Sequence, residues 1–403
     1  MQGNRGVIVW LLGGLSVACS VQDARPPGAG DGEPVATESD TSEAVGESGS
    51  RDTESLGTTG GDVLDTGSSG SDADDESSTG AIEVGPLVLH LSPTGDDGHD
   101  GSSWDAAVGT LERIHELVVE HAPRRDVVVL VGAGTYVRQS VRWTYTMPEH
   151  TITIKRADDD GPRPVFDGCD GSGCAHTFFI LDHADGEATN LHFEYLQVER
   201  YRAAISLQGN RNDFARSNGH NVIYGCYFRR IGNKWNDNTS GESYAVVRLL
   251  NSDDNLVRNN HFVQCENQTS AGLLHALYIA HNAERNHVVK NRFVTHSGDP
   301  IRVRDFSNDN RIEDNVFIRA GATAVFSDWY CIGAACTKAE PECPSWGNEF
   351  RDNELDGDYA CTSATTWHLF QPDQAAGCTP PAANAKRLST SGNVKTPVPC
   401  QGL

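Results

Sequence analysis

Five times in the second half of this chain a pattern of the form Asn-x-apolar-x-x-Asn-x-Phe, or a close variant, returns. The copies start at Asn221 (with Ile223, Cys226 and Phe228), Asn255 (Val257, Asn260, Phe262), Asn286 (Val288, Asn291, Phe293), Asn310 (Ile312, Asn315, Phe317) and Asn348 (Phe350, Asn353, Leu355). The starts lie 34, 31, 24 and 38 residues apart, so a short unit is held constant while a loop of changing length is spliced into each copy. A chain built this way stacks its units as a solenoid, each covering the apolar face of the next.

A second short strand precedes each copy: Ala204–Leu207, Val246–Leu249, Leu277–Ala280, Ile301–Arg304 and Ala324–Phe326. Apolar residues alternate within them, the pattern of a strand with one buried face. Two or three short strands per turn, joined by Asn, Asp and Gly corners, describe a parallel β-helix. The inner column Asn260, Asn291, Asn315, Asn353 then has a mechanical purpose, because stacked amides at a bend can hydrogen-bond from coil to coil. At the entrance, Leu111, Ile114, Leu117 and Val118 fall on one helical face behind Thr110 as N-cap, so Thr110 to Glu120 is expected to be a helix closing the open end of the core.

The repeats, with the opening Leu89-His90-Leu91-Ser92-Pro93-Thr94-Gly95-Asp96-Asp97-Gly98 and the later Val127-Val128-Val129-Leu130-Val131-Gly132-Ala133-Gly134-Thr135-Tyr136, resemble the right-handed parallel β-helix proteins of the pectate-lyase-like superfamily. The resemblance implies an all-β fold, a single-stranded right-handed parallel β-helix over residues 86–360 with an N-terminal capping helix and a Cys-containing cap or tail over 361–403. It implies little about activity, since one fold hosts many functions.

Residues 1–19 carry Arg5, an apolar run from Val7 to Leu15 too short to span a bilayer, and Ala18-Cys19, the layout of an export signal. Its end resembles a bacterial lipoprotein signal, with Ser16 standing where an apolar residue is usual; lipidation at Cys19 and plain cleavage are both open. Residues 20–85 hold 16 acidic side chains against Arg25 and Arg51, too polar to bury a core, and are expected to be a disordered tether. The whole chain carries −24, of which −11 falls on residues 86–403. No concentrated basic face of the kind nucleic acid needs is expected from that balance. The expected product is a monomeric, exported surface protein, held to a membrane through its lipid only.

Ten cysteines remain beyond Cys19. In an oxidising compartment an even number points to disulfides, with Cys169 and Cys174 the plausible local pair. No Cys-x-x-Cys supports the zinc alternative.

Chemistry belongs on the outer face of the stacked strands, since the interior is filled with side chains. Aligned on the repeats, one outward column reads Ser206, Arg248, Tyr278, Arg302, Phe326, and its neighbour Gln208, Leu250, Ala280, Arg304, Asp328. His275 stands just before the Tyr278 strand and can lean over the same surface. Arg302 and Arg304 beside Tyr278 and His275, with Arg248 as a further substrate contact, suit β-elimination from a uronic acid. A cation neutralises the carboxylate, a base takes the adjacent proton and an acid protonates the leaving oxygen. The same residues can equally be stacked cover for a sheet. Asp253 and Asp254 with His275 offer the paired carboxylates of an inverting hydrolase, but periodicity puts both at a corner, where Asx residues serve the backbone. His275 and His281 are about 20 Å apart along a strand and cannot share a metal. Calcium is the cofactor for which ligands exist, at Asp96, Asp97 and Asp100 and along the coils, although solvated turn acids explain them too. Two functions follow: an enzyme on an acidic polysaccharide, foremost a uronate lyase, or a non-catalytic surface protein binding glycans.

Overall fold

The computed structural model describes residues 85–237, 243–321, 323–331, 342–357, 359, 366–370 and 378–395. Cys19 and the acidic tether lie outside them. Among the described residues three long sheets of ten, nine and eight strands run side by side, paired in parallel throughout. The chain visits the first, second and third sheet in turn and then returns, which is a right-handed parallel β-helix. Strands at Thr366–Phe370, Leu388–Ser391 and Val394–Lys395 continue the stack beyond residue 360.

The repeat motif holds the coils together at two positions, not one. In each coil the first Asn gives both its backbone N–H and its Nδ2 to the Oδ1 of the next: Asn221 to Asn255, to Asn286, to Asn310, to Asn348, at 2.7–3.1 Å. The second Asn repeats the arrangement from Asn260 through Asn291, Asn315 and Asn353 to Asn393. Cys226 heads this second ladder, offering only its N–H to Asn260 Oδ1 at 2.8 Å. These amides are buried, so every satisfied group avoids the cost of an orphaned one. Beside them the motif phenylalanines stack, Phe228, Phe262, Phe293 and Phe317, with centroids 4.8–4.9 Å apart. Such pairs add about 0.5–1.5 kcal/mol each beyond the area they bury.

The open end is closed by the helix Leu111–His121, whose Leu111, Ile114, Leu117 and Val118 are buried and whose N-cap Thr110 accepts from Arg113 N at 3.1 Å. Cys169 bonds Cys174, Cys343 bonds Cys378, and Cys331 is also disulfide-bonded. Full pairing, which an even count suggested, does not hold: Cys226 and Cys265 are free thiols in the core, and burial pushes both up to about 12, so neither is reactive.

Candidate active site on the third sheet

Register across the third sheet sets Ser206, Arg248, Tyr278 and Arg302 side by side on its outer face, coil after coil. The next member is Ser327, not Phe326, because Ile301 pairs with Phe326 and Arg302 with Ser327. The start of that strand is held by Asp299, whose Oδ1 accepts from Ala324 N at 2.9 Å and Thr323 N at 3.3 Å. A one-residue shift turns every side chain over. Phe326 therefore joins the core, and Asp328 pairs with Val303 and lies buried against Arg387. Burial raises Asp328 to about 6, partly offset by Arg387.

His275 and Tyr278 share a face although they stand an odd three positions apart, since Ala276 and Leu277 both turn into the core. Their rings stack at 5.9 Å and 16°. His275 Nδ1 lies 2.7 Å from the main-chain carbonyl oxygen of Asp299. A carbonyl only accepts, so Nδ1 carries the hydrogen and Nε2 the lone pair. Burial first, and the Arg302 charge next, hold this imidazole well below its ordinary value, so it is a neutral base at pH 7.

The two arginines differ. Arg302 is partly exposed; its Nε donates to Ser327 Oγ at 2.7 Å and its Nη2 reaches Asp299 Oδ2 at 3.4 Å. Arg304 faces no groove as a free cation, contrary to the reading from sequence. It is buried, gives Nε and Nη2 to the two oxygens of Glu342 at 2.7 and 2.8 Å, and lies 4.8 Å over the Trp329 ring. Its Nη1 donates to the Tyr278 hydroxyl at 2.7 Å. Arg304 thus positions Tyr278, and the phenol oxygen, already accepting, is left to donate its own hydrogen elsewhere. Arg248 stands beside Tyr278 in the preceding coil, half-buried.

Three buried residues at the corner after this sheet, His281, Asp305 and Glu342, bring one metal-ligand atom each within 4.8 Å of the others. His281 Nδ1 is 3.0 Å from Asp305 Oδ2 and 3.9 Å from Glu342 Oε1. Both Glu342 oxygens already accept from Arg304, and Asp305 Oδ1 accepts from Cys343 N at 3.2 Å. A set of one nitrogen and two committed carboxylates does not fit calcium, which takes six to eight oxygens; the carboxylates are held by Arg304, by main-chain N–H groups and by the His281 ring. The acidic loop fares likewise. Asp97 caps the helix through Gly109 N and Thr110 N at 2.8 and 2.9 Å, while Asp96 and Asp100 close their own turns onto Gly98 and Ser102. Asp253 and Asp254 do lie at a corner, the first accepting from Glu284 N at 2.8 Å and the second paired with Arg285.

Asp299, Ser327 and Glu342 complete the site and were not singled out from sequence. Asp299 had a signal, the Gly298-Asp299-Pro300 turn just ahead of Ile301; Glu342 arrives on a long loop and had none.

No protein-family model matches the chain, and no curated protein matches it. Among solved structures it resembles an alginate lyase from Paenibacillus sp. str. FPU-7, with 15% identity, 70% of this chain and 93% of that one, and a TM-score of 0.47. A pectate lyase, Pel9A, matches with 13% identity over 67% of this chain and 63% of its own, at a TM-score of 0.39. The lacto-N-biosidase from Eubacterium ramulus matches with 13% identity over 77% and 55%, at 0.44. These likenesses extend no further than the coil.

Proposed function

We propose that this protein is an exported β-helix, anchored through Cys19, that acts on an acidic polysaccharide at the outer face of the third sheet by eliminating across a uronic acid. The observation that carries the reading is the neutral His275. Its Nδ1–H is spent on Asp299, and its ring is stacked on a tyrosine whose hydroxyl is held by Arg304, one coil from Arg302. In the proposed step Arg302 neutralises the substrate carboxylate, and His275 Nε2 takes the proton from the carbon beside it. The bond from the neighbouring carbon to the glycosidic oxygen then breaks, and Tyr278 gives that oxygen its proton, leaving an unsaturated uronide. Arg248 would bind the next sugar's acid group.

The depth of His275 and Tyr278, 3% and 5% exposed, favours a second reading, a non-catalytic glycan-binding surface protein. Ultraviolet absorbance of the unsaturated product decides between them, measured on pectate, alginate and glycosaminoglycan with calcium and with chelator. New absorbance lost in Arg302→Ala supports elimination. No absorbance on any of them, with one retained in a pull-down, leaves the binding reading.

A further inference from the structure

At the corner between the first and second sheets, the residue just before each member of the second ladder takes left-handed backbone. These are Gly225 (φ 62), Asn259 (55), Lys290 (58), Asp314 (55), Asp352 (55) and Gly392 (65), and Tyr195 (58) holds the matching place one coil earlier, before Leu196. Gly, Asn and Asp tolerate that conformation; a large side chain there is strained. Lys290 and Tyr195 are the two that do not, and for Tyr195 the surroundings give a reason. Its ring lies over Gly225 of the next coil, where an added Cβ would come within 2.7 Å of it. The glycine makes the space and the tyrosine fills it.

Around that ring cations gather. The Arg156 and Arg163 guanidinium carbons lie 5.2 and 5.6 Å from its centre, Tyr224 meets it edge-on at 5.0 Å, and Arg258 lies 5.7 Å from the Tyr224 ring. Main-chain carbonyls fix two of these arginines, Arg156 by Gly161 O at 2.7 Å and Arg163 by Gly225 O. On the adjoining strands Tyr227, His261 and Arg292 stand in register. Elsewhere arginines such as Arg285, Arg351 and Arg387 sit on carboxylates. Arg156, Arg163, Arg258, Lys290 and Arg292 have no carboxylate within ion-pairing distance among the described residues. Exposed His261 feels them: desolvation, then Arg292 and Arg163, hold it below its ordinary value.

In a chain of −24 these cations run across successive coils about 4.8 Å apart, with Glu194, in register with Tyr224, the acid that also acts on Tyr195. A guanidinium stacked on a ring keeps its N–H edge for a planar acid group, and half-exposed tyrosines between the cations offer flat faces and hydroxyls. The geometry points to a second binding site at this corner, for an extended anionic polysaccharide. Its carboxylate or sulfate groups would sit on Arg156, Arg163 and Arg258, and its sugars on Tyr224 and Tyr227. The corner faces away from the third sheet and its reading does not rest on catalysis there.

The test is affinity electrophoresis of the full chain through gels cast with polygalacturonate, heparin, dextran or polyphosphate, on wild type, Arg163→Gln, Arg258→Glu, the double variant and Tyr224→Ala. Wild type should be retarded by polygalacturonate or heparin, whichever acid group fits, and not by dextran. The double variant should lose at least tenfold in affinity. Should the double variant lose its thermal transition, the exposed Arg258→Glu alone decides. Unchanged retardation in the charge variants, or none in wild type, overturns the site. So does equal retardation by polyphosphate that Tyr224→Ala leaves intact, which would mark a plain polyanion surface. Turnover is not read, so failure of elimination at the third sheet would leave these outcomes standing.

Discussion

His275 owes its tautomer to one hydrogen bond and its neutrality to burial first and the Arg302 charge next, and these make predictions. With its pKa depressed, the imidazole stays unprotonated as pH falls through the ordinary histidine value near 6.5. Elimination should therefore be flat from about pH 8 to below 6.5 and decline only as pH falls through the depressed value; a kcat/KM profile already halved at 6.5 would remove His275 as base. His275→Gln should cost about 10²–10⁴-fold as loss of a general base. Arg302→Ala should cost about 10²–10³-fold as loss of a charge aimed at the developing enolate. Arg302→Ala should leave the melting temperature within a few degrees, because Arg302 lies outside the core; that variant melting far below wild type would mean a structural role. Individual side chains were only partly legible. Tyr278 and Arg302 could be placed because strict alternation holds there, while Phe326 was misassigned because Asp299, not a sequence pattern, sets the start of its strand. Tyr195 escaped because its coil precedes the first Asn copy, leaving no motif to mark the corner it occupies.

Strands and corners were far more readable, since each is specified by residues close in sequence: Asn at the ladder, an apolar residue two places on, Phe beyond. Asn291 is the test of that local logic. It accepts from Asn260 twice and donates to Asn315 and to Val257 O, all buried. Asn291→Leu leaves several of these groups unpaired at about 1–3 kcal/mol each, so the thermal midpoint should drop sharply. A mutant melting with wild type would refute the ladder. His296, beside this element, adds a pH term. Burial holds it to about 4, so between pH 6.5 and 4 the unfolded chain binds a proton that the folded one refuses. Stability should fall as pH drops across that window by about 1.4 kcal/mol per unit from this residue. Asp253 and Asp328, raised to about 6, act with the opposite sign over nearly the same range. His296→Gln should therefore make the acid slope of the midpoint shallower or reverse it, and an unaltered slope would remove the assignment.

For the molecule as a whole, attachment is proposed to rest on its first residues, as no helix among the described residues is long and apolar enough to cross a membrane. Cys19→Ala should move the protein from the membrane fraction to the soluble one; a wild type already soluble would end the lipid-anchor proposal. The coil lengths carry a further consequence. Between the two ladders the spacing is five residues in every motif copy, from Asn221 to Cys226 through Asn348 to Asn353, while coil length runs from 24 to 38. The extra residues fall before or after the third-sheet strand: 266–274 ahead of His275, 329–347 behind Asp328. Growth is thus channelled to the two banks of one face, and a loop there can lengthen, shorten or be exchanged without moving an amide in either ladder. Such a chain can change what it grips while its frame keeps time, as a loom changes its weft and leaves the warp strung.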